Sequence, residues 1–217
     1  PFCAGLLKAK RFSEEGVEKI PLTIYKVGDR FNIGPFQIEA INVTHSIPEP
    51  VALAITTSLG TIIHTGDWKL DDTPSMGLPT DEKRFRELGA EGVLALMCDS
   101  TNAMREGDSP SEKAVGENLT KIILEARGRV AVTSFSSNVG RIRTVMAAAR
   151  DAGRSVIVMG RSMKRMLDVS GELGYMEGLP ETLAEEDFAS LPRQNCVVIL
   201  TGSQGESRAA LATHAND

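Results

Sequence analysis

From Leu22 to Thr65 apolar and polar residues alternate in short runs, broken at Gly28-Asp29, Gly34-Pro35 and Ser58-Leu59-Gly60. Alternation with period two puts every second side chain on one face of a strand, and the glycine-containing breaks mark turns, so this stretch predicts an antiparallel sheet. Residues 2 to 15 carry helical spacing instead. Past residue 80 the rhythm changes. A helix near 81 to 88 is followed by strand-like runs Val93 to Cys98, Val130 to Thr133, Val156 to Met159 and Val197 to Leu200, separated by helical stretches at about 111 to 126, 138 to 151 and 162 to 173. Alternating strands and helices predict right-handed crossovers and a mostly parallel sheet, so the fold class is α/β. Ser109-Pro110-Ser111-Glu112 reads as a helix start, with Ser109 as N-cap, Pro110 at the first helical position and Glu112 closing a capping box. The domain boundary falls there, giving domains 1–108 and 109–217.

With 217 residues, 41% of them hydrophobic, the chain can bury one large core or two small ones and is not a disordered segment. A net charge of -5 argues against a surface wholly devoted to neutralising phosphates. The charge is polarised, however. Residues 127 to 165 hold nine Lys and Arg against the single acid Asp151, whereas residues 166 to 192 hold seven acids and no Lys or Arg. By charge alone this describes two solvated helix faces of opposite sign. Cys3, Cys98 and Cys196 form no CxxC pair and no disulfide framework, which fits a reducing, cytoplasmic compartment. No run approaches the roughly 18 to 20 apolar residues needed to cross a bilayer, so no membrane association is expected. The helical pattern begins at once, without an initiator Met, and suggests a start inside a longer protein.

Four of the later strands end in loops of small polar residues: Asp99-Ser100-Thr101-Asn102, Ser134-Phe135-Ser136-Ser137-Asn138, Gly160-Arg161-Ser162-Met163 and Thr201-Gly202-Ser203-Gln204-Gly205-Glu206. In a parallel sheet such loops gather at the carboxyl edge, where ligands bind. Backbone N–H groups at helix N-termini and Ser hydroxyls favour an anion there. Ser134, Ser136, Ser137, Asn138, Arg141, Arg161, Ser162 and Lys164 are therefore the candidate phosphate contacts, with Arg143 and Arg165 nearby. Each loop taken singly reads as an ordinary helix cap before it reads as a site. In the first half, His45 and Asp67 each sit where a strand gives way to a loop, and neutral imidazole and carboxylate both suit zinc or manganese. One His and one Asp do not close a site, and a turn Asp with a hydrogen-bonded His is the plainer alternative. His64, beside apolar Ile62 and Ile63, reads as a buried histidine or one that supports a ligand, not as a ligand itself.

Thr44-His45-Ser46-Ile47-Pro48-Glu49, His64-Thr65-Gly66-Asp67-Trp68-Lys69-Leu70-Asp71, Cys98-Asp99-Ser100-Thr101-Asn102-Ala103, Gly160-Arg161-Ser162-Met163 and Thr201-Gly202-Ser203-Gln204-Gly205-Glu206 occur in an order and at spacings that resemble one family. It is the RNase J-type ribonucleases, in the β-CASP branch of the metallo-β-lactamase superfamily. The resemblance runs over nearly the whole chain. It implies a partial metallo-β-lactamase αββα domain followed by a partial β-CASP domain with a mostly parallel sheet flanked by helices. It makes His45 a metal ligand, Asp67 a ligand bridging two divalent ions (zinc or manganese) and Asp99 an acidic residue beside them, so that Asp67 and Asp99 are the catalytic candidates. It implies RNA with a 5′-monophosphate end as partner, endonucleolytic or 5′-to-3′ exonucleolytic hydrolysis, and a homo-oligomer when intact. The family's HxHxDH string is not in the sequence and is expected upstream of Pro1, with further motifs beyond Asp217. That leaves this stretch alone expected to be inactive and to take up metal only partially.

Two other readings stand beside this one. A non-catalytic RNA- or phosphate-binding α/β module needs only the features from residue 99 onward. A nucleotide- or sugar-phosphate-binding enzyme is disfavoured by the lack of a GxGxxG or P-loop string.

Overall fold

The computed structural model describes residues 1–11, 21–207 and 209–214. The chain forms two compact units, one of residues 21–112 with Pro1, the other of residues 113–217 with the first helix.

The first unit carries strands β1 (Arg30–Ile33), β2 (Phe36–Asn42), β3 (Val51–Thr57), β4 (Gly60–His64) and β5 (Ala95–Met97) in one five-stranded sheet, in that order, with helix α2 (Glu82–Glu91) between β4 and β5. The first four strands pair antiparallel, as their alternation predicts, and β5 joins β4 in parallel through Ile62↔Ala95 and His64↔Met97. One face is the core, with Ile41, Val43, Ala52, Ala54 and Ile63 packed against Leu88 and Phe85 of α2. Asp81 starts that helix by accepting the Arg84 N–H, a side-chain N-cap.

The second unit carries α1 (Phe2–Arg11), α3 (Glu112–Glu125, whose first residue belongs to the first unit), β6 (Val130–Thr133), α4 (Val139–Asp151), β7 (Ser155–Met159), α5 (Arg161–Glu172), β8 (Thr182–Leu183), β9 (Cys196–Leu200) and α6 (Ala210–His214). Its sheet is wholly parallel, in the order β6-β9-β7-β8. All five residues of β9 are buried. Val197 and Ile199 face a core shared with Val145 and Ala149 of α4 and Met163 of α5, while Val198 and Leu200 face Phe188 and Leu191. A strand covered on both faces has no polar side to alternate with, which is why these strands read as continuous apolar runs. Truncating Ile199 to Ala would cost about 2 to 5 kcal/mol.

Two expectations are revised. The run ending at Cys98 does not enter the parallel four-stranded sheet but completes the first sheet as β5, because Thr61 O and the β4 backbone offer it a partner edge. Helix α3 begins at Glu112, past Pro110, because the acceptor for the Glu112 N–H is Asp71 Oδ2 at 2.9 Å, not Ser109. The compact units divide after Glu112, and α1 packs in the second of them. Phe2 meets Tyr175 edge to face at 5.6 Å, and Gly5 lies so close to Val169 that an added Cβ would fall 2.9 Å from its Cγ1. Residues 12–15, the rest of the expected first helix, lie outside the described residues.

Candidate functional site

An isolated antiparallel bridge joins Thr44 to Lys69, with Lys69 N–H donating to Thr44 O at 2.9 Å. It sets His45 opposite the Asp67-Trp68 turn. On the other side, Thr65 N–H donates to Met97 O at 3.0 Å and Asp99 N–H donates to the Thr65 hydroxyl at 3.2 Å. These contacts gather three of the predicted residues, His45, Asp67 and Asp99, at the ends of neighbouring segments of one sheet. Gly66, at φ 60°, makes the turn that delivers Asp67 and donates its N–H to His64 Nδ1 at 3.1 Å. His64 is exposed, not buried as expected. It occupies the last position of β4, where alternation turns it away from the Ile63 core.

Asp67 is exposed and His45 half-buried, with Nδ1 3.3 Å from the Ser46 hydroxyl. Asp99 Oδ1 accepts the Thr101 hydroxyl at 2.6 Å and the Thr101 N–H at 2.8 Å. Those two donors hold its carboxyl below the usual carboxylate range, helped by the charge of nearby His45 and by the Trp68 N–H. Asp99 is thus a fixed anion within electrostatic reach of His45. Trp68 Nε1 donates to Cys98 Sγ at 3.2 Å, closing the wall between the two acidic positions. The same wall borders a cleft of about 790 Å³ between the 68–73 and 98–111 segments.

The donor chemistry here, one imidazole and two carboxylates, is what zinc and manganese take. Among the described residues, however, no group of three or more His, Cys, Asp or Glu side chains is arranged to hold an ion. The described residues do not by themselves make a metal centre.

A second cluster lies at the carboxyl edge of the parallel sheet. Ser134 N–H pairs with Leu200 O at 3.1 Å, tying the loop after β6 to β9, and Leu211 N–H returns to Thr201 O at 3.1 Å. Gly160 (φ 102°) and Gly202 (φ 126°) make the sharp exits from β7 and β9. A Cβ on Gly202 would fall 2.7 Å from that of Leu211, so only glycine lets the loops close up. Gly160, Arg161, Ser162, Lys164, Thr201 and Thr213 are among the residues lining a cleft of about 560 Å³. The loop after β6, with Ser136 and Ser137 half-buried, lies at the same edge, two strand positions or roughly 10 Å from that of β7. The Asp99 loop does not belong to this edge, because β5 is in the other sheet.

Not every candidate is open to a ligand. Ser134 is 7% exposed and its hydroxyl donates to Phe135 O, while Asn138 Oδ1 accepts the Arg141 N–H as the N-cap of α4. The Lys164 ammonium is 2.6 Å from Glu185 Oε2. Part of the basic block is structural. Arg154 is buried and clamps the carbonyls of Ala126 and Gly128, and Arg129 donates to Phe188 O and Leu191 O with its guanidinium 3.9 Å from the Phe188 ring centre. Arg161 and Arg165 are exposed at the cleft. Residue patterns missed Trp68, Cys98, Asp71 and Glu185, whose partners are distant in sequence. Phe135 is 52% exposed beside Ser134, and an apolar ring among polar loop residues is the signal in the sequence that marks it.

No helix among the described residues is long and apolar enough to cross a membrane. The family described as Ribonuclease J, beta-CASP domain, matches residues 127–217. Ribonuclease J of Sinorhizobium meliloti is 62% identical over all 217 residues, and ribonuclease J of Helicobacter pylori strain J99 is 39% identical over 221 aligned positions that again cover the whole chain. The chain spans 38% and 32% of the length of these two relatives. A crystal structure of a protein of unknown function from Enterococcus faecalis V583 superposes with a TM-score of 0.66 over 94% of this chain and 52% of that one, at 15% identity, which is a likeness of fold. With its whole length aligned to these relatives and its β-CASP segment in residues 127–217, the chain belongs to the ribonuclease J family.

Proposed function

We propose that this chain is part of a metal-dependent ribonuclease, with two side chains of the hydrolytic centre in its first unit and an RNA-holding surface in its second. The first unit is read as part of a metallo-β-lactamase domain and the second as part of the β-CASP domain. The observation that carries the reading is the Thr44–Lys69 bridge with the Thr65–Asp99 contact, which brings His45, Asp67 and Asp99 to one end of one sheet. In the longer protein, His45 and Asp67 would be ligands to divalent ions, zinc or manganese, completed by residues outside these 217. Such ions supply an activated water and neutralise charge on the phosphate. Asp99, held anionic by Thr101, orients the groups around it.

RNA would run along the carboxyl edge of the parallel sheet. Arg161 and Arg165 offer charge there, Ser162 and the α5 N–H groups offer donors, and the exposed Phe135 ring offers a stacking surface for a base. RNA with a 5′-monophosphate end is the proposed substrate, and the reaction is phosphodiester hydrolysis in a reducing, cytoplasmic setting. The alternative of a binding module without catalysis is favoured by the second cluster alone, which needs no metal to hold an anion.

The deciding experiment is Asp67→Ala in a full-length protein carrying this segment. Cleavage of a 5′-monophosphorylated RNA should fall by at least about a hundredfold while RNA affinity stays within about twofold, since losing an outright ligand costs at least as much as losing its supporting partner. Cleavage within a few-fold of wild type would refute the assignment.

A further inference from the structure

The cleft at the carboxyl edge contains its own carboxylate. Glu185 Oε2 lies 2.6 Å from Lys164 Nζ, and Glu185 lines the same cleft as Arg161 and Arg165. The Glu185 hydrogen bond holds the Lys164 ammonium above the usual lysine range against its partial burial, with the charges of Glu185 and Glu186 adding to it.

Glu185 is not on a loose tail. Strand β8 pairs with β7 at Val156↔Thr182 and Ile157↔Leu183, and the 3-10 helix Glu185–Ala189 follows at once. Asp187 Oδ2 accepts the Ala184 N–H at 3.2 Å, Phe188 packs into the core against Ile157 and Met159, and Arg129 fastens the carbonyls of Phe188 and Leu191 at 2.9 and 3.3 Å. A cation at the amino end of β6 thus anchors the acidic turn that neutralises a cation at the carboxyl edge. The acidic stretch after residue 165 folds back on the basic block that precedes it.

We infer that Glu185 is an internal anion that holds Lys164 at the cleft and is displaced by a phosphate of bound single-stranded RNA, so that it lowers the affinity and the salt sensitivity of the site. This rests on the reading of the cleft as an RNA-phosphate site. Both partners are substantially exposed, 49% for Lys164 and 30% for Glu185, and exposed ion pairs are weak. A phosphate oxygen competes with the carboxylate on favourable terms, so the contact acts as a brake of a few-fold and not as a lock. It also frees the site of a fixed positive excess that would hold any polyanion.

The test is fluorescence anisotropy of a short single-stranded RNA, labelled at its 3′ end, against the full 217-residue chain over a salt series. Glu185→Gln should tighten binding several-fold at low salt and steepen the log–log salt slope by about 0.7, the value for one added phosphate contact on a single strand. Glu185→Asp, whose carboxylate reaches one methylene less far, should give part of that gain. Lys164→Gln alone should change affinity by less than about twofold, because its charge is already matched, and in the Glu185→Gln background it should abolish the gain. Glu181→Gln makes the same charge change outside the cleft and should leave the slope unaltered. Binding of Glu185→Gln no tighter than wild type, or a gain that survives loss of Lys164 or is shared by Glu181→Gln, overturns the inference. Arg161→Gln separates the two levels. If it weakens binding while Glu185→Gln does not tighten it, only the role of Glu185 fails; if it has no effect, the cleft is not an RNA site and both readings fail.

Discussion

Asp71 Oδ2 accepts the backbone N–H of Glu112 at 2.9 Å, across 41 positions of the chain. The same carboxylate accepts the Thr73 N–H at 3.0 Å and lies 3.1 Å from Lys69 Nζ, which also reaches Glu112 Oε1 at 3.0 Å. With its side chain 1% exposed, Asp71 ties the first residue of α3 to the 69–73 segment. Asp71→Asn keeps the shape but removes the charge from a group with three donors around it. It should lower stability by about 2 to 3 kcal/mol, the range for charge-assisted hydrogen bonds. A urea midpoint unchanged from wild type would contradict this.

The same residue should govern acid behaviour. Burial alone would raise the Asp71 pKa, but the Glu112 N–H, Lys69 and the Thr73 N–H outweigh it and the net direction is down. Glu39 is also lowered, chiefly by Arg84, which grips both carboxylate oxygens at 2.8 and 3.0 Å, against an opposing effect of burial and with help from Arg30. A carboxylate whose folded pKa lies below its unfolded value binds fewer protons when folded, so stability rises with pH through that window. The contribution is fully present above the unfolded values of about 4 and is lost as pH falls through the folded ones. Thermal melts should therefore decline steeply below about pH 4 in the wild type. The decline should be shallower in Glu39→Gln combined with Asp71→Asn, and parallel declines would assign acid lability to other groups.

Local pattern located nearly every element here because the alternation of β1 to β4 and the helical spacing of α4 and α5 depend on neighbours a few residues away. What it missed is long-range. The start of α3 depends on Asp71, the sheet that accepts β5 depends on Ile62 to His64, and the packing of α1 depends on Val169 and Tyr175. Strand ends point to His45 and Asp67, and the family resemblance to Asp99, but nothing local shows that Thr44 pairs with Lys69 to bring them together. Equally, the charge of Lys164 is legible in the sequence, whereas its neutralisation by Glu185, 21 positions on, is not.

Metal uptake follows from the incomplete ligand set. Among the described residues no three donors converge, and a stable site takes three or four protein ligands. The isolated 217-residue chain, dialysed after saturation with zinc or manganese, should retain well under stoichiometric metal by elemental analysis. Firm retention of an ion on every chain would show that His45, Asp67 and Asp99 close a site without help from elsewhere.

The basic block divides into charges tied to the fold and charges offered at the cleft, and salt dependence distinguishes them. Arg161 opens α5 at the carboxyl end of β7 and lines the cleft with Arg165, whereas Arg127 precedes β6 at its amino end. Arg127 is the sound control, because Arg129 holds Phe188 and Leu191 in place and its loss would disturb folding. Neutralising Arg161 and Arg165 to Gln should weaken binding to single-stranded RNAs of any sequence, with each lost phosphate contact lowering the log–log salt slope by about 0.7. The deficit should shrink as salt rises, since released counterions are the origin of the lost free energy. Arg127→Gln changes the net charge by the same amount per residue but removes no contact at the edge, so it should leave the slope near that of the wild type. Equal losses from the cleft and control substitutions in an anisotropy titration would mean that the nine basic residues act only as a diffuse positive surface, and the carboxyl edge of the sheet would lose its claim to the RNA.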